Sequence, residues 1–168
     1  MIYIGAVILF IASLVQSVIL PQALPLPARP ELVVMIVVAV CLVEGLHDAI
    51  IWAFIGGLLL DLMSGPALPL GTNALLLVLV ALLASLGQAD PFRSQVFVPL
   101  AIVFIATVFY QVMIMLLAFV LGQEVPFLDN LLRVALPSAV LNTILMPVAY
   151  MALLWLSERV GRRVRVEW

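Results

Sequence analysis

GGLLLDLMSGPALPLGTN, residues 56–73, sets an aspartate, Asp61, into a run of leucines just ahead of a Ser-Gly-Pro break. In a chain surrounded by water that acid would pass without comment. Inside a lipid-embedded helix it costs about 3 kcal/mol on insertion scales unless something receives it. The reading of the stretch therefore depends on the solvent, and composition decides the solvent. The 168 residues are 67% hydrophobic and only 10% charged, with a mean hydropathy of +1.36. A chain of this length cannot enclose that much apolar surface in one globular core, so lipid has to cover most of it.

Working outward from Asp61, the breaks are written in proline, glycine and charge. A membrane helix needs about 20 apolar residues, fewer where neighbouring protein covers its ends. Six segments qualify, at residues 2–20, 31–43, 49–63, 72–87, 96–121 and 130–156. Together they form a single integral domain, an all-α polytopic bundle of six transmembrane helices. The first run lacks a basic leader and is too long for a signal-peptide core, so it reads as a retained span. PQALPLPARP ends it, because its prolines cannot continue a helix. Pro30 is placed for a first helical turn, and Glu31 beside it suits the positive end of the helix dipole.

EGLHD, residues 44–48, is a tight turn with Asp48 as the expected N-cap of the third span. Thr72 or Asn73 is the expected cap of the fourth. Pro99 falls in the first turns of the fifth span, and the last carries Pro137 and Pro147, so a kink is expected at one or both. Its opening turn, with Arg133, suits the membrane interface. The tail at 157–168 carries Arg159, Arg162, Arg163 and Arg165 and belongs in the cytoplasm by the positive-inside rule. Six spans then put the N-terminus and Arg93 on that same side.

Ala53, Gly57 and Asp61, four residues apart, form a stripe of small residues that lets another helix approach closely. Asp61 then sits at a helix–helix seam. It can accept hydrogen bonds from Ser64, from the Ser-Gly-Pro turn, or from the opening turn of the next helix at Thr72 and Asn73. That makes it a structural staple; proton relay and ligand contact are the sharper alternatives. Ala135 and Ala139 offer a second small-residue face. Gln16, Asn73, Gln111 and Asn142 are expected to hydrogen-bond between helices, or else to line a small-molecule cavity. Cys41 reads as a small buried hydrophobe.

Catalysis finds few residues. An intramembrane aspartyl protease needs two carboxylates sharing a proton, and Glu31, Glu44, Asp48, Asp90, Glu124 and Asp129 all fall at span ends or in loops. His47 is the only histidine, so Glu44, His47 and Asp48 read as a polar surface turn and not as a zinc site. No catalytic residue, metal or cofactor is assigned. With no lysine and with arginines clustered at one end, nucleic acid is not a partner.

The order of these features carries a resemblance. RPELVVMIVVAV, a short charged turn, GGLLLDLMSG, and a proline-containing loop closing on LGTNALLLVLVALL resemble the MreD family of rod shape-determining proteins over about a third of the chain, residues 30–83. The family's Pro-Asp falls on Pro30 and Glu31, with glutamate in place of aspartate. Its Asp-Leu-x-Ser-Gly falls on Asp61, Ser64 and Gly65, and its Leu-Gly on Leu70 and Gly71, with Asn73 behind; the intervening loop is slightly longer than is common. The resemblance implies a non-catalytic membrane scaffold of the cell-elongation machinery. Such a scaffold partners MreC and, in the same assembly, MreB filaments, the glycosyltransferase RodA and a class B penicillin-binding transpeptidase. Ala53–Gly57 and Ala135–Ala139 are then candidate faces for packing or for the MreC helix.

The resemblance also implies a fold similar to the substrate-binding component of energy-coupling-factor vitamin transporters. A small-molecule binding component of that kind is the alternative function. Its docking face would be an Ala-x-x-x-Ala stripe on the first span, where this chain has only Ser13 and Ser17, and short apolar outer loops offer a vitamin few polar groups.

Overall fold

The computed structural model describes residues 2–23, 28–63, 68–88 and 97–161. Among them are six principal helices and no strand. Helix α1 runs through Ile2–Leu14, a π-helical turn Val15–Ile19 and a last stretch Leu20–Ala23. Then come α2 (Leu32–Glu44), α3 (Leu46–Met63), α4 (Thr72–Ser85) and α5 (Phe97–Val120). Helix α6 joins Phe127–Asn130, a second π turn Leu131–Ala135, and Leu136–Gly161. Four of the six are long and apolar enough to cross a membrane; α2 and α4 are shorter.

Helix α2 is both short and enclosed. Its 13 residues rise about 20 Å, well under a bilayer core of about 30 Å. Yet Val33, Val34, Val37, Val38, Val40 and Cys41 are completely buried, because α1, α3, α4, α5 and α6 all pack around it. It is the axis of the bundle, hydrophobic on every side as a fully enclosed helix must be. The apolar surface that faces outward lies on the peripheral helices, on residues such as Phe54, Leu75, Ile105, Phe119 and Ile144.

Turns between helices follow local chemistry. Gly45 alone joins α2 to α3 at φ +111°, and its carbonyl already accepts the Ala49 N–H. No room is left for a separate capping residue. Asp48 is therefore not the N-cap expected from the sequence; it lies inside the first turn of α3, where a negative charge still suits the dipole. His47 stays exposed beside it. Proline explains the two π turns. Each ends two residues before a proline, Pro21 or Pro137, and each closes with an i→i−5 bond, Leu20 N–H to Val15 O and Leu136 N–H to Leu131 O. A proline ring clashes with the carbonyl four residues back, and one widened turn relieves that clash. Pro147 lies inside a continuous α-helix instead, so the expected distortion of the last segment sits at Pro137.

Charged side chains mark both ends of α6. Arg133 pairs with Asp129 at 2.7 Å on an exposed face, and Arg159 stacks over the Trp155 ring at 4.0 Å.

Candidate functional site

Both clusters of buried polar side chains lie at the same end of the bundle, the end that carries residues 28–31 and 68–71. The first is built on Asp61, which is only 6% exposed. Its Oδ2 accepts from the backbone N–H of Gly71 at 3.0 Å and of Ala74 at 3.3 Å. Its Oδ1 accepts from the Asn73 backbone N–H and from Asn73 Nδ2, both at 3.0 Å. The acid thus caps α4 from a different helix, satisfying three of the N–H groups that any helix start leaves open. Thr72 does not cap, since its hydroxyl turns back to donate to the Pro69 carbonyl at 2.7 Å. Gly71 itself is the N-cap residue, at φ +95°, a conformation that costs a glycine nothing and lets its own N–H face Asp61.

The helices carrying this cap can touch because of Gly57. A Cβ there would lie 2.2 Å from Ala74 Cα and 2.4 Å from Ala74 N, so α3 and α4 are in backbone contact one turn from Asp61. Ala53 on the same stripe is fully buried, as are Ala135 and Ala139 on α6. These four residues are helix-packing positions inside the chain. Of the two roles expected of them, packing is the one that their burial describes, with α4 against Gly57.

The second cluster surrounds the start of α2. Pro30 and Glu31 were expected within its first turn. The helix begins instead at Leu32, and Glu31 is the N-cap, its carbonyl accepting from Met35 N–H at 3.1 Å. Other helices supply the capping groups. Asn142 Oδ1 accepts the Glu31 N–H at 2.9 Å, Gln16 Oε1 the Val33 N–H at 3.0 Å, and Ser138 Oγ the Arg29 N–H at 3.1 Å. Asn142 Nδ2 donates in turn to Thr107 Oγ1 at 2.9 Å, and the Thr107 hydroxyl to the Val103 carbonyl. Gln111 Nε2 donates to Glu31 Oε1.

Glu31 is thus no peripheral acid at a span end. It is 6% exposed, a second buried carboxyl in addition to Asp61, because Asn142 of α6 takes its N–H and Gln111 of α5 meets its carboxyl. Irregular backbone at such depth is tolerated only where protein supplies its hydrogen bonds, and here side chains do so.

Tyr110 links the clusters, its hydroxyl donating to Asn73 Oδ1 at 2.6 Å. Asn73 is thereby held from both sides. Tyr110→Phe, which strands that amide oxygen, is expected to lower unfolding stability by about 1–2 kcal/mol, read as a lower midpoint in a detergent melt.

Between the clusters lies a cavity of about 410 Å³, with Gln16, Ser17, Arg29, Glu31, Asn73 and Tyr110 among its walls. Gln16, Asn73, Gln111 and Asn142 all bond across helices, as their residue type suggests, and Gln16 and Asn73 line the cavity as well. Ser64 and Gly65 lie outside the described residues. Thr107, Tyr110 and Ser138 were missed by sequence reasoning. The signal for two of them was helical spacing: Thr107 with Gln111, and Ser138 with Asn142, stand four residues apart on one face. Tyr110 gave no such sign.

Neither the curated proteins nor the solved structures yield a significant match to this chain. A family model does: that of the rod shape-determining protein MreD matches residues 2–158. With nearly the whole chain covered, from α1 to the far end of α6, the protein belongs to the MreD family of rod shape-determining membrane proteins.

Proposed function

We propose that this protein is a non-catalytic scaffold of the bacterial cell-elongation machinery. It crosses the inner membrane six times with both termini in the cytoplasm, binds MreC, and so couples peptidoglycan synthesis to MreB filaments. RodA and a class B penicillin-binding transpeptidase belong to the same assembly. Beyond family membership, one observation carries this reading: the acid of the Asp-Leu-x-Ser-Gly motif spends both carboxylate oxygens on capping α4. A group so engaged holds helices together and leaves no lone pair for proton transfer. The six-span topology gains support from the enclosure of α2, which lets a helix of about 20 Å serve within a thicker bilayer.

A binding-component reading, of the kind found in energy-coupling-factor transporters, has one observation in its favour, the polar cavity. Purification of the tagged chain from native membranes separates the two. The scaffold reading expects a bitopic, coiled-coil partner to be recovered at a fixed ratio. Recovery of ATPase subunits or a bound vitamin in its place would overturn it.

A further inference from the structure

Glu31 has an oxygen that nothing in the chain satisfies. Oε1 takes the Gln111 amide, but Oε2 is buried and has no hydrogen-bond partner. Leaving a buried carboxyl oxygen unpaired is costly, and native structures rarely do so without a reason. No donor among the described residues of the chain reaches it. Asn142 Nδ2 is bound to Thr107, the Tyr110 hydroxyl to Asn73, and the Asn73 amide to Asp61. The missing donor therefore comes from outside the chain, and Glu31 lines the cavity through which it can enter.

The cavity has room for such a molecule. At about 410 Å³ it would hold roughly a dozen waters at about 30 Å³ each, and it falls within the range of small-ligand sites. Its charges are ordered. Arg29 lines the same cavity two residues before Glu31, but it is exposed where Glu31 is buried, and no ion pair joins them. A carboxyl sits inside and a guanidinium at the rim. A bare anion is disfavoured by the inner carboxyl, and a bare cation by the outer guanidinium. A zwitterion with its cationic end leading matches both, since arginine's planar fork suits phosphate. Leu60, Met63, Leu68 and Ile114 supply apolar wall for the remainder of the molecule.

We propose that this cavity binds an aminoalkyl phosphate, its primary ammonium donating to Glu31 and its phosphate meeting Arg29. Two sources carry that chemistry, the headgroup of an ethanolamine phospholipid and its water-soluble glycerophosphate fragment.

The test uses the full chain in lipid nanodiscs made from phosphatidylethanolamine, phosphatidylcholine or phosphatidylglycerol. Retained lipid is counted by native mass spectrometry, and thermal unfolding is followed in parallel. Choline's quaternary ammonium cannot donate a hydrogen bond and glycerol has no cation, so phosphatidylethanolamine is expected to be retained about tenfold better than either, the worth of one charge-assisted bond. E31Q, which keeps the side-chain size and an oxygen for Gln111, should abolish that preference while melting normally in phosphatidylcholine. R29Q, on the exposed rim, should lower it without loss of folding, and serves as the test if E31Q does not fold. Protection by soluble glycerophosphoethanolamine as well as by the lipid assigns the free fragment as ligand; protection by the lipid alone assigns the membrane. Equal retention of ethanolamine and choline lipids overturns the proposal, as does a preference that survives both substitutions.

Discussion

Gly57→Leu yields no folded protein. The first carbon of the new side chain would lie 2.2 Å from Ala74 Cα, 2.4 Å from Ala74 N and 2.7 Å from the Asn73 carbonyl carbon. All three are backbone atoms of α4, which cannot step aside as a flexible side chain can. The two helices have to separate, and separation pulls Asn73 and Ala74 away from the Asp61 carboxylate one turn along. Overpacking alone costs about 1–3 kcal/mol; with the cap broken too, the loss is about 4 kcal/mol or more, comparable to the whole stability of many domains. The expected result is aggregation on size exclusion in mild detergent. Leu58→Ala, at the next position, where the native side chain is 41% exposed on the outer face, should behave as wild type. A well-folded Gly57→Leu protein with an unchanged melt would mean that α3 and α4 are not in contact here. The same clash means that lost MreC recovery in this variant would report a broken bundle and not a blocked docking face.

Asp61→Ala is expected to lose about 3–5 kcal/mol. The substitution removes a carboxylate that accepts four hydrogen bonds and leaves Gly71, Asn73 and Ala74 N–H groups without partners, along with the Asn73 amide. Since Asn73 also receives the Tyr110 hydroxyl, disorder at the start of α4 should spread to α5. Equilibrium unfolding in mixed micelles measures the loss directly. Asp61→Asn keeps the shape and one acceptor and should fall between alanine and wild type. Gly57→Ala combined with Asp61→Ala should cost less than the sum of the two, because both act on the same opening turn. An alanine variant as stable as wild type but deficient in transport of a proton or ligand would make Asp61 a conduit, and the capping role would be wrong.

How far each element was legible follows from where its causes lie. The small-residue stripe and the capping role of Asp61 could be read locally. A carboxylate at the end of an apolar run, a break, and a following helix start leave it few places to go, and Gly57 one turn earlier marks the close contact. Even so, the partners among Ser64, the turn and the next helix stayed open. The choice of Gly71, Asn73 and Ala74 depends on how α3 and α4 cross. Glu31 shows the opposite case. Beside Pro30 at the head of an apolar segment it has the look of a surface acid at a helix start. Nothing within ten residues indicates that Gln16, Gln111 and Asn142 converge on it. Those residues are brought there by three helices up to 111 positions away, and the cavity beside Glu31 is a consequence of that convergence.

From the sequence alone came the solvent, the helical class and the positions of the breaks, because each is set by local composition: apolar length, the missing N–H of proline, the polar residues of a tight turn. Which helix would be the axis, which acid would be sealed inside, and where polar groups would leave a space were decided only by tertiary structure. Burial is a property of neighbours, and in a bundle where nearly every face is apolar, the pattern along one helix does not say which of its sides meets protein and which meets lipid. Only packing assigns them, and with them the depth at which an ionisable group comes to rest.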